Sequence, residues 1–562
     1  MRTLTLILSL AAATMLAACG TPTEADVKQQ ARELLDAYQA EYDRLRRDWT
    51  ATEWEAAVTG SEDAFAAHAA AEVALNRFHS SAEELAEVER LVGLAEQLDP
   101  LDVRALEVAR LAYREQQLPP ETLERMASMS AAIQQTFNTF RGTFEGREMA
   151  NNDLLELLAE ETDSARRQAA WEALKQVGAA VADDLVALAE VRNQAARSMG
   201  FDDFWHMKIR LQDHDPGELL ALFDELEQLT LEPFAEMKAA LDQELADRFG
   251  IAVDALIPWH YDNPFFQAAP PSSAIDLDEF YRDRTREEIA VIAQGFYADI
   301  GLPVDDIIAR SDLYEREGKD QHAFCEDMDR AGDVRILVNL RPTAEWMDTM
   351  LHELGHAVYD KHLDPELPFN LRQANHIFTT EAVAQLFGAL AKNPTWIAAY
   401  SGGDPARAEA AADAIREQRR REQLIFCRWT LVMLHFEKAL YEDPRQDLDT
   451  LWWDLKERFQ LLRRPAGRVA PDWAAKPHFT IAPVYYHNYM LGELLAAQLR
   501  ATLARIADHD GPTTTLNFVD RQDFGEHLKE TVFAPGRRQA WPEFVRQATG
   551  EPLTARHFAA EL

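Results

Sequence analysis

The chain has 562 residues, with 57 Lys and Arg against 96 Asp and Glu, and a formal charge of −39. So acidic a chain lacks the basic surface that a phosphate backbone requires, which excludes nucleic acid as an expected partner; the charge serves mainly to keep a large solvated surface soluble. The length exceeds a single compact core, yet there is no internal repeat and no long Gly/Ser linker, so one large, mostly α-helical body is expected.

The first element is a run from Leu4 to Leu16 behind Met1-Arg2. It is too short to span a bilayer comfortably and reads as an export signal covering 1–18. It ends in Leu16-Ala17-Ala18-Cys19, which resembles the lipobox of bacterial lipoproteins. That resemblance implies cleavage before Cys19 and lipid attachment there. Gly20 is not the aspartate that favours inner-membrane retention. The expected location is therefore the periplasm or cell envelope, with the lipid on the outer membrane as the only membrane contact. Residues 19–562 form the mature domain, in which Ala, Leu, Glu and Arg content from Glu24 to Asp247 favours helices. Cys325 and Cys427 stand far apart and define no disulfide framework.

Two strands are expected next, His322 to Met328 and Val334 to Asn339, flanking Asp329-Arg330-Ala331-Gly332-Asp333. The hairpin is either a structural element or an edge that takes an extended peptide by strand addition. It leads into a helix that starts at Pro342-Thr343, carries Trp346, Met347, Met350, Leu351, Leu354 and Val358 at helical spacing, and ends near Asp364-Pro365. On that helix lies His352-Glu353-Leu354-Gly355-His356. Two imidazoles four positions apart reach one metal ion from one helical face, and Glu353 sits beside the open coordination position as a general base. This is a hydrolase signature. A catalytic site needs a third protein ligand, and Glu381, 25 positions after His356 at the start of an apolar helical run, supplies it. Further on, His478 and Tyr489 are candidate oxyanion donors and Lys476 a candidate partner for a substrate carboxylate, while Tyr486 and Tyr489 share a helical face.

These residues together resemble the angiotensin-converting-enzyme family of zinc dipeptidyl carboxypeptidases. The resemblance runs from Glu41-Tyr42-Asp43-Arg44 to the C-terminal region and is most specific over 321–499. It implies a two-lobed, zincin-type helical peptidase with a deep central cleft, a short β-hairpin or small sheet beside the zinc helix, and lid helices over 24–98. It also implies zinc on His352, His356 and Glu381, and a peptide backbone along His322-Ala323. Lys476, Tyr486 and Gln267 would hold the terminal carboxylate of a small unstructured peptide, from which a dipeptide is released. The double tryptophan Trp452-Trp453 matches the family's pattern as well.

Several positions depart from that pattern. The interval from His356 to Glu381 is one residue longer and equals that of thimet-type oligopeptidases. Gln385 replaces an aspartate that orients a zinc-binding histidine, and its amide remains able to accept a ring N–H. A longer gap between His478 and Tyr489 leaves Tyr485 and Tyr486 competing for the carboxylate. Asn488 and Lys456 stand at chloride-ligand positions and weigh against chloride activation. Two other functions stay open: an oligoendopeptidase, and a non-catalytic lipoprotein that binds zinc or peptide. No oligomeric state follows from the sequence.

Overall fold

The computed structural model describes residues 23–270 and 275–562, so Cys19 and the export signal lie outside the described residues. The described chain is mostly helical, as expected, with two small hairpins. Four helices exceed thirty residues: Glu24–Thr59, Ser164–Ser198, Pro216–Phe249 and Ala412–Glu442. Side-chain caps set the starts of the first three. Thr23 closes a capping box with Asp26, and Asp163 and Asp215 accept amide hydrogens of the first turn. No helix among the described residues is long and apolar enough to cross a membrane.

Most buried side chains belong to one core that reaches from Ile133 to Phe558. The N-terminal helices hold a smaller core of their own, with Val27, Leu35, Leu91 and Leu106 packed on Leu367 and Leu371. The first helix is also stitched to the central hairpin. Thr50 Oγ1 donates to the Met328 carbonyl at 2.9 Å, Arg46 pairs with Glu326 at 2.9 Å, and the Asp320 amide donates to the Ala57 carbonyl at 2.8 Å.

That hairpin pairs Phe324–Asp327 with Val334–Leu337 in antiparallel register, Phe324 opposite Leu337. Both strands are shorter than expected, and His322-Ala323 precede the first. The turn ends the ladder through side chains: Asp327 Oδ1 accepts from the Arg330 amide and Asp329 Oδ1 from Ala331 and Asp333. Gly332, at φ 111°, holds a conformation that a side chain would strain. A second hairpin, Gly142–Phe144 with Arg147–Met149, was not legible in the sequence.

Three helices meet at the centre of the large core. Ala344–Lys361 starts where Thr343 accepts from the Trp346 amide at 3.2 Å. Its neighbour, Ile377–Gly388, packs in turn on His487–Ile506. The approach is unusually close at two glycines. A Cβ on Gly355 would lie 2.8 Å from Ala384 Cα, and one on Gly492 would lie 2.7 Å from Gln385 Oε1 and 3.1 Å from Glu381 Cβ. Close packing of this kind transmits small changes of shape, so the position of Glu381 is a property of the helix packing on both sides of it.

Candidate metal centre

The helical period brings His352 and His356 to one face, with their Nε2 atoms 3.2 Å apart. Glu381 Oε2 lies 3.9 Å from His352 Nε2, and one ligand atom from each of the three residues falls within 4.8 Å of the others. Two nitrogens bound tetrahedrally to zinc at about 2.0–2.1 Å would stand about 3.3 Å apart. The imidazole pair matches that separation, and two imidazoles with a carboxylate form a donor set suited to zinc. Burial lowers both histidines, which keeps them in the neutral, ligating form. Burial, followed by the charge of Glu493, raises Glu381 to about 7. Glu353 is 7 % exposed, and burial, then Glu381, raises it to about 8. A carboxyl held near neutrality in this way is suited to taking and returning a proton.

Gln385 does not serve the histidines. Its Nε2 donates to the Tyr489 carbonyl at 3.4 Å, while its Oε1 is buried with no partner among the described residues. Helical phase explains the difference. Gln385 lies against Gly492 on the far helix, whereas Thr380, preceding Glu381, faces the metal helix and places Oγ1 2.6 Å from His356 Nδ1. By accepting the Nδ1 proton, Thr380 leaves Nε2 free for a metal. Asp348, one turn before His352, supplies the charge acting on that ring.

The two competing tyrosines face different ways. The Tyr485 ring is 5.1 Å from that of Tyr489, and burial, then Glu381, raises both phenols, so this pair stands in the field of Glu381. Tyr486 turns toward the lysine: its hydroxyl accepts from Trp429 Nε1 at 2.9 Å, and its ring is 5.4 Å from Lys476 Nζ and 5.0 Å from the His478 ring. Tyr486 and Tyr489 remain in ring contact at 5.4 Å.

Lys476 Nζ donates to Gln267 Oε1 at 2.6 Å across 209 positions of sequence. Both residues line a cavity of about 500 Å³, and burial lowers Lys476 to about 7. Burial, then Lys476, lowers His478 to about 4, and its Nδ1 has no partner among the described residues. His322, by contrast, is on the surface with 95 % of its side chain exposed, Nδ1 3.4 Å from Asp320. Ala323 is half-buried at the mouth of a strand paired on one side only.

Lys175, which the sequence did not single out, belongs to a group of buried lysines. Its Nζ sits 3.2 Å from the centre of the Phe265 ring, and Lys456 donates to the Phe265 carbonyl. Burial lowers both far below the usual range, and each repels or is repelled by Lys476. Asn488 is bonded to Gln212 Oε1 at 2.8 Å in a neutral network with buried His214. Cys427 is buried and Cys325 half-buried, and neither forms a disulfide among the described residues.

The family model described as "Angiotensin-converting enzyme", a peptidase family, matches residues 25–557. Among curated proteins, the chain is similar to angiotensin-converting enzyme of Bos taurus, 24 % identical over 427 residues, covering 71 % of this chain and 32 % of that protein. It is similar also to the enzyme of Mesocricetus auratus, 22 % identical over 467 residues, covering 77 % and 35 %. The chain thus spans about a third of the length of the curated relatives it matches.

Proposed function

The chain belongs to the angiotensin-converting-enzyme family, and on that premise we propose that it is a zinc-dependent peptidase that releases dipeptides from the C-termini of small, unstructured peptides. One observation carries the reading: Lys476 and Gln267 meet at 2.6 Å beside Tyr486, whose ring touches that of Tyr489 in the field of Glu381. These contacts link the residues read as a carboxylate anchor to those read as a metal centre through one tyrosine pair, which supports removal of a fixed number of residues from a free C-terminus.

His352, His356 and Glu381 would hold a zinc ion, which would supply Lewis-acid polarisation of the scissile carbonyl and a water acidic enough to attack it. Glu353 takes the proton of the attacking water and returns it to the leaving amine. Tyr489 and His478 donate hydrogen bonds to the oxyanion; neutral His478 does so through whichever ring nitrogen carries its proton. Lys476, Gln267 and Tyr486 hold the terminal carboxylate by charge and hydrogen bonds. The strand entered by His322-Ala323 carries the backbone upstream of the scissile bond. A two-lobed body with a deep cleft, a lid over 24–98 that keeps out folded proteins, and a lipid on Cys19 in the periplasm complete the reading.

Mass spectrometry of fragments from one unstructured peptide, supplied with a free or an amidated C-terminus to purified, metal-quantified protein, tests it. Dipeptide release that disappears on amidation is the expected result. Internal cleavage indifferent to amidation would replace this reading with an oligoendopeptidase, which the 25-residue interval to Glu381 and the glutamine at 385 favour.

A further inference from the structure

Beside the metal helix, a cavity of about 430 Å³ begins at Thr380, the partner of His356, and is walled by Cys325 of the central hairpin and by Gln212, Gln373, Arg330 and Arg537. Its guanidinium groups outnumber their acceptors. Arg537 makes no side-chain hydrogen bond or ion pair with any described residue, and its Nε is enclosed. Asp213, the carboxylate whose charge acts on it, is already held by Arg104 at 2.9 Å. Arg330 is 7 % exposed, and its acceptors are all neutral: the Phe369 carbonyl at 3.0 Å, Gln373 Oε1 at 3.1 Å and the Tyr42 hydroxyl at 3.4 Å. Arg46, which lines the same cavity, gives Nη2 to Glu326 at 2.9 Å and leaves Nη1 enclosed without a partner. An enclosed guanidinium N–H without an acceptor carries the cost of its lost hydration, and two arginines bring such a group to one space.

Tyr42 reports the resulting field. Burial raises its phenol, yet Arg330, Arg46 and Arg537 outweigh burial and bring it below the usual tyrosine value. The acids of the cavity do not discharge this field. Glu326 is committed to Arg46, and Asp327 Oδ1 accepts from the Asp329 and Arg330 amides. Burial, then Asp327 and Glu326, raises Asp360 well above the usual carboxylate range, toward a neutral acid that does not repel an anion.

We propose that the Arg537 side of this cavity receives a carboxylate, carried by the side chain of an acidic residue on the N-terminal side of the scissile bond, with Arg330 and Nη1 of Arg46 as further positive charge. The inference rests on the peptidase reading above: the strand entered by His322-Ala323 carries the upstream backbone, and Cys325 of that strand opens onto the cavity. Guanidinium and carboxylate pair through two parallel hydrogen bonds, and Arg537 commits no side-chain donor to the described residues. A carboxamide of the same shape offers one acceptor and no charge, so it makes only part of that contact.

The test is a matched series of N-acetylated, free-acid peptides with glutamate, glutamine or lysine at each of the three positions before the scissile bond, cleaved by the zinc-loaded protein. At one of these positions glutamate is expected to exceed glutamine in kcat/KM by about ten-fold or more, and lysine to fall below both. Arg537→Met should bring that glutamate-to-glutamine ratio close to one while the glutamine peptide is cleaved as before, and Arg537→Lys should restore part of the preference. Because the readout is a ratio, it does not depend on the amount of folded enzyme. Should the variants fail to fold, sodium acetate exchanged for sodium chloride at constant ionic strength serves in the parent protein, where acetate should lower the same ratio. That exchange also separates the sources of the carboxylate: a glutamine peptide that gains rate with acetate, while glutamate has no advantage, assigns the site to a free anion and overturns the inference. Equal kcat/KM for glutamate and glutamine at all three positions, a preference for lysine, or an unchanged ratio in Arg537→Met overturns it as well. Cleavage of the glutamine peptides without a charge preference leaves the peptidase reading standing; no cleavage of any peptide overturns both.

Discussion

Burial alone lowers Lys476 to about 7, and this sets a specific pH dependence. The sign follows from the depressed value: in the free enzyme the ammonium is present below about pH 7 and is lost as pH rises through it. Since kcat/KM reports free-enzyme ionisations, its value for peptides with a free C-terminus should fall about ten-fold per pH unit above neutrality. The decline ends at a floor where Gln267 and Tyr486 hold the carboxylate without a charge. A hydrogen bond to a charged group contributes about 1.5–3 kcal/mol, so the floor lies about ten- to a hundred-fold below the plateau. Lys476→Met should sit at that floor from pH 5.5 to 9. Initial rates for one peptide in free-acid and amidated form, expressed as a ratio, cancel the titration of every group other than the anchor. A ratio that is flat between pH 6 and 9, or that is the same in Lys476→Met, would refute the assignment of Lys476 to the carboxylate.

Three further outcomes test the metal centre. Glu353→Gln keeps the size of the side chain and removes its proton transfer, so kcat should drop about 10²–10⁴-fold while zinc content by atomic absorption stays at the parent level. Thr380→Val removes the oxygen 2.6 Å from His356 Nδ1 and should weaken zinc about 10–100-fold in a chelator competition, with little change in melting temperature of the zinc-loaded protein. Gly355→Ala places a Cβ 2.8 Å from Ala384 Cα; overpacking costs about 1–3 kcal/mol, seen as a lower denaturant midpoint, and zinc affinity should fall with it because Glu381 is displaced.

The candidate metal ligands were legible because the spacing of the two histidines is that of a helix. A period near 3.6 puts residues 352 and 356 together, and the apolar run around Glu381 announced the next helix. The limits of the central hairpin were less so, because Asp327 and Asp329 end its ladder with side-chain bonds that hydropathy does not register. The pairing proposed as a carboxylate anchor could not be read from pattern at all: Gln267 and Lys476 are separated by 209 positions, and only the family resemblance joined them. That Thr380, rather than Gln385, bonds one of the two histidines was not legible, because the phase of Ile377–Gly388 against its two neighbours depends on the close contacts at Gly355 and Gly492, which glycine residues in a helical run do not disclose. Lys175 gave no signal, since a single lysine on a long helix looks like solvated surface until the chain around Phe265 folds over it.

The stitching of the first helix to the hairpin gives Glu326 a countercharge borrowed from a different core. Arg46 holds it at 2.9 Å, and Glu326 lies on the strand packed against the helix that carries His352 and His356. Withdrawal of the N-terminal helices would leave a mostly buried carboxylate without its guanidinium, which is costly, so the small N-terminal core acts as a clamp on the wall beside the candidate metal site.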